Sequence, residues 1–371
     1  MKILLLSSTN DWTNGYGNIT HEYMRHIDGR HDVTLLLPQG EERGLHIGYS
    51  PRYVLPPYVF NLKTPKVLEY MNFDFDASSY DVIHSLFEFP YALLAAKLAR
   101  KYRKSLIIGT QGTYAIQPLF WYPERWLVKW AYGVASLITA PSAFTRDNLT
   151  RYSDTQTPVR ILHNAVNVDR FRGDVDVSSI RSRWPGKKIL LTVGGLKPRK
   201  GQDIVIRALG LLNDRRDIQY VMVGVGKMQD SYRALASELG VSDRVTFVGA
   251  VEGEELVRYF HACDIYIHTP VLSDWQFEGF GIVYLEASAC RKPIIASDSG
   301  GVRDAVIADE TGVIVPESDE RATAHAITTL LDDPALMQRL GERGYDYAAS
   351  HTWQSYIEQI SNYYDEVKTQ H

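Results

Sequence analysis

Two rhythms alternate along the 371 residues of this chain. Short apolar, β-branched runs at residues 3–6, 33–37, 82–83, 106–108 and 137–139, followed by a weaker one at 160–162, are separated by longer helical patterns. A second series begins after Asn164, with runs at 189–193, 220–223, 245–248, 265–268, 293–296 and 313–315. Runs this short and this continuous, set between helices, predict parallel strands covered on both faces. The order strand–helix–strand–helix occurs twice, which predicts an α/β protein of two doubly wound, Rossmann-like domains. Polar residues at 166–185 mark the boundary, giving domains of 1–168 and 169–350. Trp353, Tyr356, Ile357, Ile360, Tyr363, Tyr364 and Val367 then recur at helical spacing, so 351–371 reads as a terminal helix. Ligands of open parallel sheets bind beyond the carboxyl ends of the strands. Two such domains facing one another would hold a ligand in the cleft between them.

Composition narrows the class without naming it. The chain is 45% hydrophobic and 23% charged with a net charge of −4, so no basic field points to nucleic acid. Cys263 and Cys290 lie in apolar runs without CxxC spacing and read as core thiols of a reducing compartment. The opening apolar run of four residues is too short for a signal-peptide core, and no run approaches the ~18 residues of a spanning helix. A cytoplasmic protein is expected. The histidines show no metal-ligand spacing, so no metal is expected.

Chemistry concentrates in the loops after the strands. After the first strand, Gly15 and Gly17 allow close backbone approach, and Asn18-Ile19-Thr20 can open a helix whose N–H groups face an anion. A plain turn explains the same residues. Thr20 replaces the third glycine of a dinucleotide fingerprint, and Leu37-Pro38-Gln39 lacks the acidic residue that holds an adenosine ribose, which disfavours NAD. In domain two, VGGLKPRKGQD places Gly194 and Gly195 beside Lys197, Arg199 and Lys200. Cations in a strand–loop–helix context suit a diphosphate, although a solvated basic turn has the same composition.

The stretch FEGFGIVYLEASA sets Glu278 and Glu286 eight positions apart, about two helical turns, so that both can face one side roughly 10 Å apart. Between them, the backbone amides of Phe280, Gly281 and Ile282 would be the open donors of a helix start. Carboxylates bind hydroxyls, whereas amides and cations bind phosphate. A ligand with sugar hydroxyls at both ends and a diphosphate between them meets both demands, and a nucleotide sugar has that form. The glycines of SDSGGVRDAV add another close approach at the same edge.

With these residues assembled, the chain resembles the retaining glycosyltransferases of family 4, from about Lys2 to Tyr364. Glu278-x7-Glu286 matches the EX7E motif of that family, within EGFGIVYLEASA and followed by PIIASDSGG and ETGVIVP. The resemblance implies the GT-B fold, with a terminal helix crossing back to the first domain, and metal-independent transfer of a sugar with retained anomeric configuration. No cofactor beyond the nucleotide-sugar co-substrate is implied. Carried over by position, Lys200 holds the donor phosphates, Glu278 binds the transferred sugar and Glu286 the ribose. Gly15 and Gly17 match the donor-side loop of the first domain, and the amides of Phe280–Ile282 complete the diphosphate cradle. FEGFGIV with SDSGG looks most like members using GDP-mannose, with a UDP-hexose as the rival donor. A nucleotide-sugar epimerase and a non-catalytic nucleotide-sugar binder are the competing readings.

Two positions depart from the family pattern. Gly195 stands where an arginine is frequent, and Arg199 can supply the guanidinium instead. Gln111 stands where many members have histidine; an amide has no titratable proton, so it can hydrogen-bond a sugar but not act as general base. On the acceptor side, Lys97, Arg100, Lys101 and Lys104 form a basic stripe near the aromatics Phe120, Trp121, Tyr122, Trp126 and Trp130. These can rest on an anionic membrane carrying a lipid-linked acceptor, but a solvated helix face and a separately buried aromatic helix is the favoured reading. A glycan or lipid-linked acceptor is expected.

Overall fold

The computed structural model describes residues 1–11, 14–27, 29–40, 48–59, 61 and 67–369. It divides into two units, Met1–His163 together with Trp353–His371, and Asn164–Thr352. The first carries seven strands: β1 (Lys2–Leu6), β2 (Asp32–Pro38), β3 (Arg52–Leu55), β4 (Val82–Ser85), β5 (Ser105–Gly109), β6 (Leu137–Ala140) and β7 (Val159–Ile161). They form one parallel sheet in the order β3-β2-β1-β4-β5-β6-β7. The second unit carries β8 (Lys188–Val193), β9 (Ile218–Val223), β10 (Val245–Gly249), β11 (Ile265–His268), β12 (Ile294–Ser297) and β13 (Gly312–Val315), parallel in the order β10-β9-β8-β11-β12-β13. Both are doubly wound, as the two series of apolar runs predict.

The physical reason for the unbroken runs is visible in the second sheet. Ile189, Leu191, Val193, Val221 and Val223 enter the core on one face, while Leu190, Tyr220 and Met222 enter a separate core on the other. Side chains alternate across a strand, so two cores require apolar residues at both parities. Strand β3 was not anticipated. It is an edge strand of four residues, half-exposed, with an irregular register against β2, and so lacks the buried-run signal.

The terminal helix, Trp353–Lys368, belongs to the first unit. Its Tyr364 hydroxyl lies 2.6 Å from His84 Nδ1 and also contacts the Tyr23 hydroxyl, all within the core. Arg160 grips Glu366 with both guanidinium nitrogens, and Ser105 Oγ donates to the Val367 carbonyl at 2.7 Å. The basic stripe is largely spent internally. Lys97 Nζ donates to the carbonyls of Met71 and Phe73 at 2.7 and 2.6 Å, and Lys101 pairs with Asp74. The helix Tyr91–Tyr102 ends at a left-handed Arg103, leaving Lys104 beyond it.

Candidate active site

In the second sheet the strand order reverses between β8 and β11, and ligands of such sheets bind where the loops of those two strands part. The loop after β8 carries Lys197, Arg199 and Lys200; the loop after β11 carries Glu278. The two are stitched together by backbone. Val271 N donates to the Arg199 carbonyl at 2.9 Å, and Thr269 Oγ1 donates to the Gly201 carbonyl at 2.8 Å. Gly201 has φ +65° and lies so close to Thr269 that a Cβ there would fall 1.7 Å from the Thr269 carbonyl oxygen. Only glycine meets both conditions.

This stitching brings three sequence-predicted residues together. Lys200 Nζ lies 2.5 Å from Glu278 Oε2, and Arg199 reaches the same oxygen at 3.4 Å and the Phe277 carbonyl at 3.2 Å. The side chains are only 13% (Lys200), 12% (Glu278) and 21% (Arg199) exposed, so the charges act in a medium of low effective dielectric. Burial by itself raises the Glu278 carboxyl, but the positive charge of Lys200, with that of Arg199, opposes it, and the group sits well below the usual carboxylate range. Burial lowers Lys200, partly opposed by Glu278.

The helix after this loop spans Ile282–Ala289. Gly281, at φ +90°, precedes it, and no side chain caps its first turn. A Cβ on Gly281 would meet the Tyr284 ring at 2.6 Å. Phe280 is buried, which fixes the peptide leading into the helix, and Ile282 is half-buried at its first position. Glu286, half-buried in the helix, has its carboxyl pushed up to about 7 by burial, against the pull of Arg170. Arg170 was not anticipated; it sits on the short helix Val168–Phe171, whose first turn Asn167 caps.

The close approach expected of the SDSGG glycines is made to the backbone of Glu278. Gly301 N donates to the Glu278 carbonyl at 2.8 Å, and a Cβ on Gly300 would fall 2.5 Å from that oxygen. The loop approaches the backbone of Glu278 and holds it. Arg303 makes a bidentate pair with Asp298 at 2.7 Å, and Arg291 pairs with Glu342 over the ring of Tyr345. At Gly195 the nearest atom to an added Cβ is Lys197 Cε at 3.5 Å, an ordinary contact, so close packing does not require glycine there.

Another group was missed. His268, the last residue of β11, is fully buried with Nε2 at 3.4 Å from Glu278 Oε2. Its only sequence signal was a histidine ending an apolar strand in front of the glutamate loop.

Comparison with known proteins accounts for most of the chain. The model of glycosyl transferases group 1 matches residues 177–347, and that of Glycosyltransferase Family 4 matches residues 13–170. A GDP-mannose-dependent alpha-(1-6)-phosphatidylinositol monomannoside mannosyltransferase of Mycolicibacterium smegmatis is 29% identical over 370 residues, 94% of each chain. This chain is a glycosyltransferase of the GT-B type. A D-inositol 3-phosphate glycosyltransferase of Corynebacterium glutamicum is 31% identical over 60% of this transferase and 55% of its own length. Among solved structures, Anabaena HepE in complex with UDP and glucose superposes with a TM-score of 0.80 at 21% identity, covering 99% of this chain and 100% of that one. Sucrose-phosphate synthase from Thermosynechococcus elongatus gives 0.79 at 22%, covering all of both.

The remaining predicted residues of the transferase lie in its first unit. Gly15 and Gly17 are in the first turn of the helix Gly15–Ile27, not in a loop before it, because Asn14 Oδ1 accepts from Gly17 N at 2.9 Å and starts the helix early. A Cβ on Gly17 would fall 1.9 Å from the Asp11 carbonyl oxygen, so this glycine serves a backbone contact; nothing approaches Gly15 within 4 Å. Gln111 follows β5, its N–H donating to Glu88 Oε2 at 2.9 Å. Glu88 is buried, its carboxyl pushed up to about 7 by burial. Phe120, Tyr122, Trp126 and Leu127 are exposed by 47, 72, 61 and 40%, which replaces the expectation of a buried aromatic helix. Among the described residues no helix is long and apolar enough to cross a membrane, and no group of three acidic, histidine or cysteine residues is placed to hold a metal.

Proposed function

We propose that this glycosyltransferase moves a hexose, mannose, from GDP-mannose to a glycan or lipid-linked acceptor, with retention of configuration and without a metal ion. The observation that carries the reading is the convergence of Lys200, Arg199 and Glu278 at the switch point of the second sheet, beside an uncapped helix start. Lys200 and Arg199 neutralise the donor diphosphate as it leaves, with the amides of Phe280, Gly281 and Ile282 and the flexible Gly194–Gly195 backbone around it. Glu278 binds hydroxyls of the transferred sugar and Glu286 those of the ribose. By the family resemblance Gly15, Gly17 and Gln111 also contribute to donor binding, Gln111 by hydrogen bonding rather than proton transfer. The departing phosphate oxygen accepts the proton of the acceptor hydroxyl on the same face, so rate comes from positioning and leaving-group stabilisation. The mannosyltransferase relative supports the donor.

A panel of GDP- and UDP-sugars tests this. Release of GDP from GDP-mannose, undiminished by EDTA, is the expected result. Turnover of a UDP-hexose alone moves the donor to the rival nucleotide, isomer formation makes the protein an epimerase, and binding without turnover makes it a scaffold. The exposed aromatic face at residues 120–127, with Arg125 over the Trp126 ring at 5.0 Å, favours a second reading in which the cytoplasmic enzyme rests on an anionic membrane to reach a lipid-linked acceptor. Co-sedimentation with phosphatidylglycerol vesicles at low salt, lost on Trp126→Ser, is expected; no sedimentation of the wild type removes it.

A further inference from the structure

His268 occupies an expensive place. Its side chain is fully buried, and neither ring nitrogen makes a hydrogen bond among the described residues. An unpaired buried polar group costs about 1–3 kcal/mol, and an aliphatic side chain would fill this end of β11 without that penalty. The ring is nevertheless held in place. It packs edge-on against Tyr284 with centroids 5.5 Å apart, and the Tyr284 hydroxyl donates to the His268 carbonyl at 2.9 Å. What it faces is Glu278 Oε2, at 3.4 Å from Nε2 without the geometry of a hydrogen bond.

The contacts of Glu278 are lopsided. Lys200, Arg199 and His268 all converge on Oε2, and Oε1 takes part in none of these contacts. Two cations already occupy Oε2, which has two lone pairs to offer. The imidazole is therefore a third donor with nowhere to bind while Lys200 and Arg199 stay where they are.

We propose that His268 is a positioning residue, a reserve donor that takes over Glu278 Oε2 when the diphosphate of the donor draws Lys200 and Arg199 away. This rests on the nucleotide-sugar reading of the site. In the free enzyme the two cations neutralise Glu278; on binding, phosphate oxygens compete for the same N–H groups. Without a substitute, the carboxylate would be left nearly buried and unpaired, free to rotate away from the sugar. A shift of about half an ångström brings Nε2–H within hydrogen-bond range of Oε2, and Oε1 is left for the sugar hydroxyls. Burial, reinforced by Lys200, holds the imidazole pKa down to about 4, so the ring serves as a neutral donor and does not compete with the cations for phosphate. The groups around it are Glu278, Lys200, Arg199 and Tyr284.

The test compares His268→Leu with His268→Gln, whose amide restores a donor. Steady-state turnover of the donor sugar that the wild type uses is measured beside the Kd for GDP and for UDP by calorimetry, and the Tm of each variant. The expected result is a tenfold or greater loss of kcat in His268→Leu, a change of less than threefold in nucleoside diphosphate Kd, and recovery to within threefold of wild type in His268→Gln. Wild-type kcat in His268→Leu overturns the role. So does an equal loss in both variants, or a loss of kcat that runs in step with Tm and diphosphate affinity, because those outcomes describe packing alone. A wild-type protein that binds neither GDP nor UDP and turns over no nucleotide sugar overturns the nucleotide-sugar reading, and this role with it.

Discussion

Replacing Glu278 by glutamine keeps the shape of the site and removes one charge, so it isolates what the carboxylate does. Lys200, 13% exposed, loses a partner at 2.5 Å, and Arg199 loses one at 3.4 Å. Breaking a buried pair costs ~3–5 kcal/mol, and here residual exposure and the flexibility of Lys200 reduce it to about 2–3 kcal/mol. The deficit has a predictable pH dependence. Burial already lowers the Lys200 pKa, and Glu278 opposes that shift, so the variant lowers it further. Between that folded value and about 10.4, the unfolded chain binds the extra proton, and stability rises with pH. Urea unfolding of Glu278→Gln followed from pH 7 to pH 10 is therefore expected to converge on wild type as Lys200 sheds its proton. Turnover does not recover in parallel. A charge-assisted contact to a sugar hydroxyl contributes about 1.5–3 kcal/mol, or roughly 10- to 150-fold in kcat. A variant as stable as wild type at pH 7, or one whose deficit is constant to pH 10, refutes the coupling of Lys200 to Glu278; wild-type kcat refutes the role in transfer.

Three further outcomes are expected. Glu286 ionises near 7 in the free enzyme, and ribose hydroxyls favour the ionised form, so affinity for GDP measured by calorimetry should rise about tenfold from pH 6 to pH 8; Glu286→Gln should bind more weakly and show a flat profile, with bound turnover changed less. Lys200→Ala should lower kcat by roughly 100-fold through loss of charge opposite the leaving diphosphate, and unchanged turnover would transfer that role to Arg199. Gly201→Ala combines a left-handed φ with a Cβ 1.7 Å from the Thr269 carbonyl, so it should destabilise the second unit by more than about 2 kcal/mol in urea unfolding and part the two loops of the site.

Much of this protein is legible in one dimension because its signals are local. Period-two burial on both faces of a parallel sheet makes continuous apolar runs, which is why, among the described residues, twelve of the thirteen strands are visible as stretches of sequence and the half-exposed edge strand β3 is not. Glu278, Glu286 and the lysine–arginine loop stand out for a similar reason: charged residues beside glycine at the end of a buried strand are unusual wherever they occur. What spacing leaves open is direction. Whether Lys97 points to a membrane or to the carbonyls of Met71 and Phe73 depends on a segment more than twenty residues away. The same holds for the SDSGG glycines, whose partner, the backbone of Glu278, is some twenty residues earlier in the chain.

The sequence by itself determined the α/β class, the two doubly wound units, the terminal helix and the residue types of the candidate site. The tertiary structure decided how those residues pair: Lys200, Arg199 and His268 converge on one oxygen of Glu278 because β8 and β11 are neighbours and Gly201 lets their loops touch. The divide is physical. Burial patterns and turn preferences are set by near neighbours along the chain, whereas the charge state of Glu278, the neutrality of His268 and the exposure of Trp126 arise from groups that meet only after folding.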